Sequence, residues 1–226
     1  MRHSEITAFS VMRAPPPLKK SKRLIMARRS EHSLEELKAM VLDAAEMIVI
    51  EEGFSGLKVR KIALEIGYTV GSIYMVFSSM ADLIMHINAR TLDAIAMQLA
   101  QVQETSAQQS IESLSMTYLS YASQNFNRWS KIFEYRLSVD SEIPDWYQQK
   151  VDNVFAPVEA QFAELAAELS EEHRNRAARA LWYGVHGICV LSLTEKQDKS
   201  DIKGIGETII LLVRSFMRGW VAYSKE

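Results

Sequence analysis

The sequence predicts an all-α protein with a small three-helix domain followed by a larger helical bundle. Helix breakers are scarce: the 226 residues include 9 glycines and 5 prolines, and three prolines are consecutive at 15–17. Beyond residue 30, apolar residues recur at the three- and four-residue spacing of amphipathic helices. The hydrophobic fraction of 48% and the charged fraction of 24% are ordinary for a globular chain.

Residues 1–30 form a basic arm without helical period, which predicts disorder. The arm carries eight Lys or Arg residues against the single Glu5. Two roles stay open: a solvated leader, or an arm that contacts the phosphates of a nucleic acid. The stretch "MARRSEHS" from Met26 resembles a native start, so residues 1–25 are also open to being an extension.

The sequence predicts neither a secretory signal nor a transmembrane helix. No apolar core follows the basic residues, so a secretory signal is not expected. No run of about 18 apolar residues suggests a transmembrane helix. Cys189 is the only cysteine, and a chain that cannot form an intrachain disulfide fits a reducing compartment. We therefore expect a cytoplasmic protein.

A capping box marks the first helix, with Ser33 as the N-cap and Glu36 three positions later. The apolar residues that follow predict a helix up to Gly53. A second, short helix is predicted at residues 59–66, and Gly67 can supply the left-handed turn that ends it.

Thr69 predicts the N-cap of a third short helix, and Val70, Ile73 and Phe77 are its inward residues. A serine at position 78 or 79 caps a fourth helix over residues 80–103. Two short helices joined by a glycine turn and braced by a preceding helix form a helix-turn-helix. Its second short helix can then enter a DNA major groove, which is about 12 Å wide.

The rest of the chain is predicted to be helical with short breaks. The expected helices are at about 108–125, 127–138, 144–168, 171–194 and 203–223. The predicted organisation is an arm at 1–30, a helix-turn-helix DNA-binding domain at 31–80, and a helical effector-binding and dimerisation domain at 81–226.

The stretch "GFSGLKVRKIALEIGYTVGSIYMVFSSMADL", which begins at Gly53, resembles the DNA-binding domain of the TetR (tetracycline-repressor) family of bacterial transcription regulators. The resemblance covers about residues 34–90. It implies a homodimer that binds a palindromic operator on double-stranded DNA and is released by a small effector. Repression is the default that the family implies.

The resemblance also implies which residues contact DNA. Tyr74 is expected at a phosphate, and Arg60 at a phosphate or a guanine edge. Val76 can pack on a thymine methyl but cannot donate a hydrogen bond. The predicted DNA-binding residues are Lys58, Arg60, Thr69, Val70, Gly71, Ser72, Tyr74 and Val76.

The sequence departs from the family pattern in three ways. Met75 and Val76 replace aromatic or basic residues, and Met80 stands where a lysine is common. Lys58 replaces a threonine cap. Residues 31–80 hold four basic side chains against eight acidic ones, so this domain is acidic on balance. Positive charge must come from Lys58, Arg60, Lys61 and the arm.

Aromatic and Met residues are dense in the middle of the chain, as in an ordinary core or an apolar ligand pocket between helices. The motif "LWYGVHGI" resembles a Trp-x-x-x-His-Gly signature of one TetR C-terminal domain type. His186 in this motif is either a core histidine or a group that binds an effector or senses pH. An unidentified, apolar small-molecule effector is therefore expected. The candidate ligand-binding residues are Trp129, Phe133, Trp146, Trp182 and His186.

The last predicted helix is apolar nearly all round, which indicates burial on more than one side. The helix before it carries the small residues Ala177, Ala178, Ala180 and Gly184, which would allow close approach. We therefore predict a symmetric dimer interface of four helices, two from each subunit.

Enzyme motifs are missing from the sequence. The five histidines show no H-E-x-x-H spacing, and neither a P-loop nor a G-x-S-x-G sequence occurs. We therefore predict no catalytic residues, no metal and no cofactor. The alternative to a DNA-binding regulator is a helical homodimeric binding or adaptor protein without sequence-specific DNA binding.

Overall fold

The computed structural model describes residues 32–132, 143–195 and 201–223, and in this part of the chain all regular structure is helical, as predicted. The helices are α1 Leu34–Glu52, α2 Val59–Glu65, α3 Val70–Ile73, α4 Met80–Leu99, α5 Ala107–Gln124, α6 Phe126–Trp129, α7 Asp145–Leu165, α8 Glu171–Glu195 and α9 Ile202–Tyr223.

Helices α1 to α3 and the start of α4 form a small head around one apolar core. The predicted turn is present, because Gly67 has a positive φ of 71° between α2 and α3. The Thr69 hydroxyl caps α3 by accepting a hydrogen bond from the Ser72 amide at 3.2 Å. Ile73 and Phe77 are buried in the head core. The local signals in the sequence therefore produce the predicted helix-turn-helix.

Helix α4 is shared by the head and the larger helical body. The Ser79 hydroxyl caps it by accepting from the Asp82 amide at 3.0 Å. Its first turns bury Leu83 and Ile87 in the head core, whereas Leu92 lies in the body core. The boundary at residue 80 stays a prediction, and the head core continues beyond it into α4.

The body packs α5, α7, α8 and α9 against the second half of α4. Helix α9 buries Ile205, Ile209, Val213 and Met217 along one stripe. Most element bounds agree with the predicted ones within a few residues. The predicted helix at 127–138 begins as the one-turn α6, and residues 133–142 lie outside the described part of the chain.

A polar joint fastens α1 of the head to the body. Glu46 accepts hydrogen bonds from the Arg90 and Arg128 guanidinium groups, each at 2.8 Å. Arg90 also donates to Asp43 at 2.6 Å. The Glu46 and Arg128 side chains are only 15% and 16% exposed, so this pair is held largely out of water. The joint therefore ties one head helix to both α4 and α6.

The one-turn helix α6 faces the head on one side and the body core on the other. Asn127 donates from its side-chain amide to the Ile50 carbonyl oxygen near the end of α1 at 2.9 Å. Arg128 donates from Nε to the Thr91 hydroxyl of α4 at 3.2 Å. The next residue, Trp129, is fully buried in the body. A displacement of Trp129 would therefore also disturb the contacts that Asn127 makes with α1 and Arg128 makes with α4.

Glu46→Ala should destabilise the protein by about 2 kcal/mol, because it leaves the largely buried Arg128 guanidinium without its carboxylate. Glu172→Ala is the matched control. It removes the carboxylate of an exposed pair with Arg176, and such pairs contribute less than about 1 kcal/mol. Chemical denaturation of both variants measures the difference. Equal losses would show that the joint does not hold the two parts together.

Candidate nucleic-acid interface and aromatic cluster

Helix α3 presents one narrow face to solvent and its opposite face to the head core. Amides of Val76 and Phe77 donate to the Ile73 carbonyl oxygen at 3.1 and 3.0 Å, which continues the helical turn beyond α3. With this turn, Gly71, Tyr74 and Met75 lie together on the exposed side. The exposed face is therefore short, and the Thr69 hydroxyl fixes its N-terminal end.

The predicted DNA-binding residues divide into two groups in the structure. The exposed group is available for a direct contact and consists of Lys58, Arg60, Thr69, Gly71 and Tyr74. Val70 and Val76 are half-buried against the head core, so the predicted packing of Val76 on a thymine methyl competes with its packing on the head.

Ser72 faces the head core. Its contact with DNA stays a prediction, and the residue is only 4% exposed. Its hydroxyl lies 2.9 Å from the Thr69 hydroxyl, and its amide donates to that same oxygen. Ser72 therefore stabilises the start of α3 instead of offering a free hydroxyl, because the inward turn of the helix carries its side chain away from solvent.

Charges around α3 are distributed better for DNA than the composition suggests. Within the described residues, Lys58 and Arg60 make no hydrogen bond or ion pair through their side chains. Lys61 was expected to supply positive charge, but it pairs with Glu52. The acids Asp43 and Glu46 are used in the joint with the body.

An aromatic cluster lies inside the body and brings together three of the five candidate ligand-binding residues. The Tyr118 hydroxyl of α5 lies 2.8 Å from His186 Nδ1 of α8. The Trp182 and Trp129 rings lie 4.8 and 6.0 Å from the Tyr118 ring. Trp146 is elsewhere, stacked on His86 of α4 at 4.7 Å. Phe133 lies outside the described residues.

The cluster carries no charge on its described titratable groups at neutral pH. Burial lowers the pKa of His186 to about 4. Burial also raises the pKa of Cys189 to about 12 and that of Tyr118 well above its ordinary value. The Trp182 indole N–H has no hydrogen-bond acceptor among the described residues, although the side chain is fully buried. The surroundings therefore suit an uncharged, apolar group.

Tyr118 is the central residue of this cluster, and the sequence did not single it out. Its aromatic character was visible, but its partner is 68 positions away on another helix. The same holds for Arg128, whose carboxylate partner Glu46 comes from the head. Only the packing of the helices reveals such pairs.

The outer faces of α8 and α9 expose apolar and small residues beside each other. Tyr183 and Leu191 are exposed on α8, and Leu211 is exposed on α9. A Cβ on Gly184 would meet Leu212, so the two helices cross closely at this glycine. The small residues Ala177 and Ala178 are buried within the body, so of the four small residues predicted to ease close approach only Ala180 is exposed.

Neither a metal-binding cluster nor a membrane-spanning helix occurs in the part of the chain that the structure describes. No group of three or more His, Cys, Asp or Glu residues is arranged to hold a metal ion there. No described helix combines the length and the apolar composition that crossing a bilayer requires.

Stability should fall as the pH drops from about 6.5 to about 4, because the buried His186 resists the proton that the unfolded chain accepts. The His186 contribution is present above pH 6.5 and is lost as the pH falls towards the folded-state pKa. Denaturant unfolding of the wild type and of His186→Gln between pH 4 and pH 7.5 measures this difference. His173→Gln, which removes an exposed histidine instead of a buried one, is the matched control. A wild-type slope in His186→Gln would contradict the assignment.

Two family models match the chain. Residues 41–87 match bacterial regulatory proteins of the tetR family, and residues 111–204 match the tetracyclin repressor-like C-terminal domain. The chain is 24% identical over 178 residues to an uncharacterized HTH-type transcriptional regulator of Mycobacterium tuberculosis. That alignment covers 78% of this chain and 79% of the relative.

Solved structures with a similar fold include known regulators. A tetR-family transcriptional regulator from Streptomyces coelicolor has a TM-score of 0.61 and 16% identity, with 85% of each chain covered. The transcriptional regulator FadR from Bacillus subtilis, solved in complex with stearoyl-CoA, has a TM-score of 0.57 and 13% identity. That match covers 77% of this chain and 96% of FadR. With both of its domains matched by models of one family, the chain belongs to the TetR family of non-enzymatic, DNA-binding transcriptional regulators.

Proposed function

We propose that this regulator is a cytoplasmic repressor that binds a palindromic operator as a homodimer and is released by a small apolar effector. The observation that carries the proposal is the exposed face of α3, capped by Thr69 and flanked by Lys58 and Arg60, two cations without an ion pair among the described residues. Such a face fits the major groove, whereas the opposite face holds the head together.

The proposed DNA contacts follow from exposure and chemistry. Arg60 can donate two hydrogen bonds to a guanine edge or to a phosphate. The Tyr74 hydroxyl can donate to a phosphate oxygen, and Gly71 lets the backbone approach the duplex. Lys58 and Thr69 are proposed at the neighbouring phosphates. The basic arm at 1–30 is proposed to add phosphate contacts, which would steepen the salt dependence of binding.

The proposed dimer uses the outer faces of α8 and α9. Exposed Tyr183, Leu191 and Leu211 would be removed from water by a second copy of the same face. The exposed small residue Ala180 would permit close approach. A dimer also serves DNA binding, because two recognition helices must reach major grooves about 34 Å apart.

The proposed effector site is the aromatic cluster around Tyr118. Its buried, uncharged surroundings favour an apolar molecule with a hydrogen-bond acceptor for the Trp182 N–H. FadR from Bacillus subtilis, a structure of similar fold, was solved with stearoyl-CoA. The acyl chain of that ligand is apolar, which supports an apolar moiety in the effector. Release would follow if a ligand displaced Trp129, because the preceding residues Asn127 and Arg128 hold α1 and α4.

Arg60→Ala combined with Tyr74→Ala should abolish salt-sensitive binding to DNA fragments that flank the protein's own gene. Both side chains are exposed, so the head should still fold. The measurement is fluorescence anisotropy from 50 to 200 mM salt, with Arg176→Ala on α8 as the matched control. We expect at least a tenfold loss in the double variant and none in the control.

No binding of the wild type to any duplex would favour the alternative of an adaptor protein without sequence-specific DNA binding. Equal binding by the wild type and the double variant would contradict the proposed interface.

Leu191→Glu combined with Leu211→Glu should convert the dimer into monomers, because four glutamates would meet in one apolar interface. The measurement is light scattering at micromolar concentration. Met97→Glu is the matched control, since Met97 is an equally exposed apolar residue on α4. A double variant that stays dimeric, or a monomeric wild type, would place the interface elsewhere or remove it.

A further inference from the structure

Met75 is a long apolar side chain on the surface that the head turns outward. It is 69% exposed, and a single exposed apolar residue needs no explanation by itself. The position of Met75 does call for an explanation. It lies beside Tyr74 and one turn after Gly71, on the exposed side of α3 and the turn that follows it. The next residue, Val76, packs against the head core instead.

The local geometry leaves room around Met75. Met75 lies in the turn that follows α3, and its amide donates to the Ser72 carbonyl oxygen at 3.3 Å. One turn earlier, Gly71 has no side chain. Apart from the helix's own backbone, the nearest described atom to a Cβ built on Gly71 is the Thr69 hydroxyl oxygen, at 3.7 Å. No side chain at position 71 therefore separates Met75 from whatever meets the exposed surface.

The chemistry of Met75 restricts what it can recognise on DNA. A thioether donates no hydrogen bond and accepts only weakly, so it cannot bind a phosphate or read a donor–acceptor pattern. The apolar feature that a base pair presents in the major groove is the thymine C5-methyl group. An unbranched, flexible side chain adapts well to such a small apolar partner.

We propose that Met75 is a specificity-determining residue that packs on a thymine C5-methyl group in each half-site. This inference rests on the proposed DNA-binding function and sharpens it, since it assigns the apolar contact to Met75 instead of the half-buried Val76. Arg60 and Tyr74 then supply the polar contacts, while Met75 discriminates thymine from cytosine at the position it covers.

The test begins with selection of bound duplexes from a random DNA pool by the purified full-length protein. Each thymine of the selected duplex is then replaced, one position at a time, by deoxyuridine, which lacks only the methyl group. At one symmetric pair of positions, the wild type should lose about fourfold in affinity for each methyl removed. Deoxyuridine elsewhere should have no effect.

Met75→Ala should bind the thymine duplex as weakly as the wild type binds the deoxyuridine duplex, and should not respond to the replacement. Met75→Leu, which keeps an apolar side chain, should respond as the wild type does. Met97→Ala is the matched control, because it removes a methionine side chain that is 65% exposed. Met97 lies on α4, roughly 25 Å along the helix from Met80. This control variant should keep the full wild-type response.

The outcomes separate the inference from the function on which it rests. If the selected duplex binds tightly but no deoxyuridine position matters, or if Met75→Ala keeps the response, Met75 does not read a methyl and DNA binding stands. Selected duplexes without thymine in the half-site lead to the same conclusion. If no sequence is enriched and binding does not depend on salt, the proposed DNA-binding function fails, and the inference fails with it.

Discussion

The carboxylate of Glu46 is the constraint on which the arrangement of the molecule depends. It belongs to α1 of the head, but the two guanidinium groups that bind it come from α4 and α6. Because the Glu46–Arg128 pair is largely buried, neither charge can turn to solvent without a large cost. Asn127 adds a second tie to α1 from the adjacent position. Helix α3 packs on the same head core as α1, so the joint connects it to the body through α1.

The same joint pairs two of the acidic residues of the head with arginines. Counted along the sequence, residues 31–80 carry twice as many acidic as basic side chains, which is unfavourable for a DNA-binding domain. In the folded chain, Asp43 and Glu46 face body arginines, and Glu52 pairs with Lys61. Lys58 and Arg60 stay exposed beside α3. The net charge of a domain is therefore a poor measure of its surface charge when some of its charged residues are paired inside the fold.

Signals between neighbouring residues predicted the turn and the cap of the head correctly. Features that depend on contacts between distant residues were not predicted. The glycine turn and the hydroxyl cap of α3 depend on neighbouring residues, so Gly67 and Thr69 were identified correctly. The burial of Ser72 escaped prediction because it depends on how far α3 rotates against the head core. The partner of His186 escaped it because Tyr118 lies on a different helix. The sequence pattern of a helix gives its period. It does not show which residues of that helix contact residues of another helix.

Capture of genomic DNA fragments by the purified full-length protein tests the central claim, that the joint holds a DNA-reading face outward. The wild type should enrich fragments that share one short inverted repeat, and the enrichment should decline as salt increases. Enriched fragments without a shared sequence, or no fragment above the background of a control without protein, would contradict this claim.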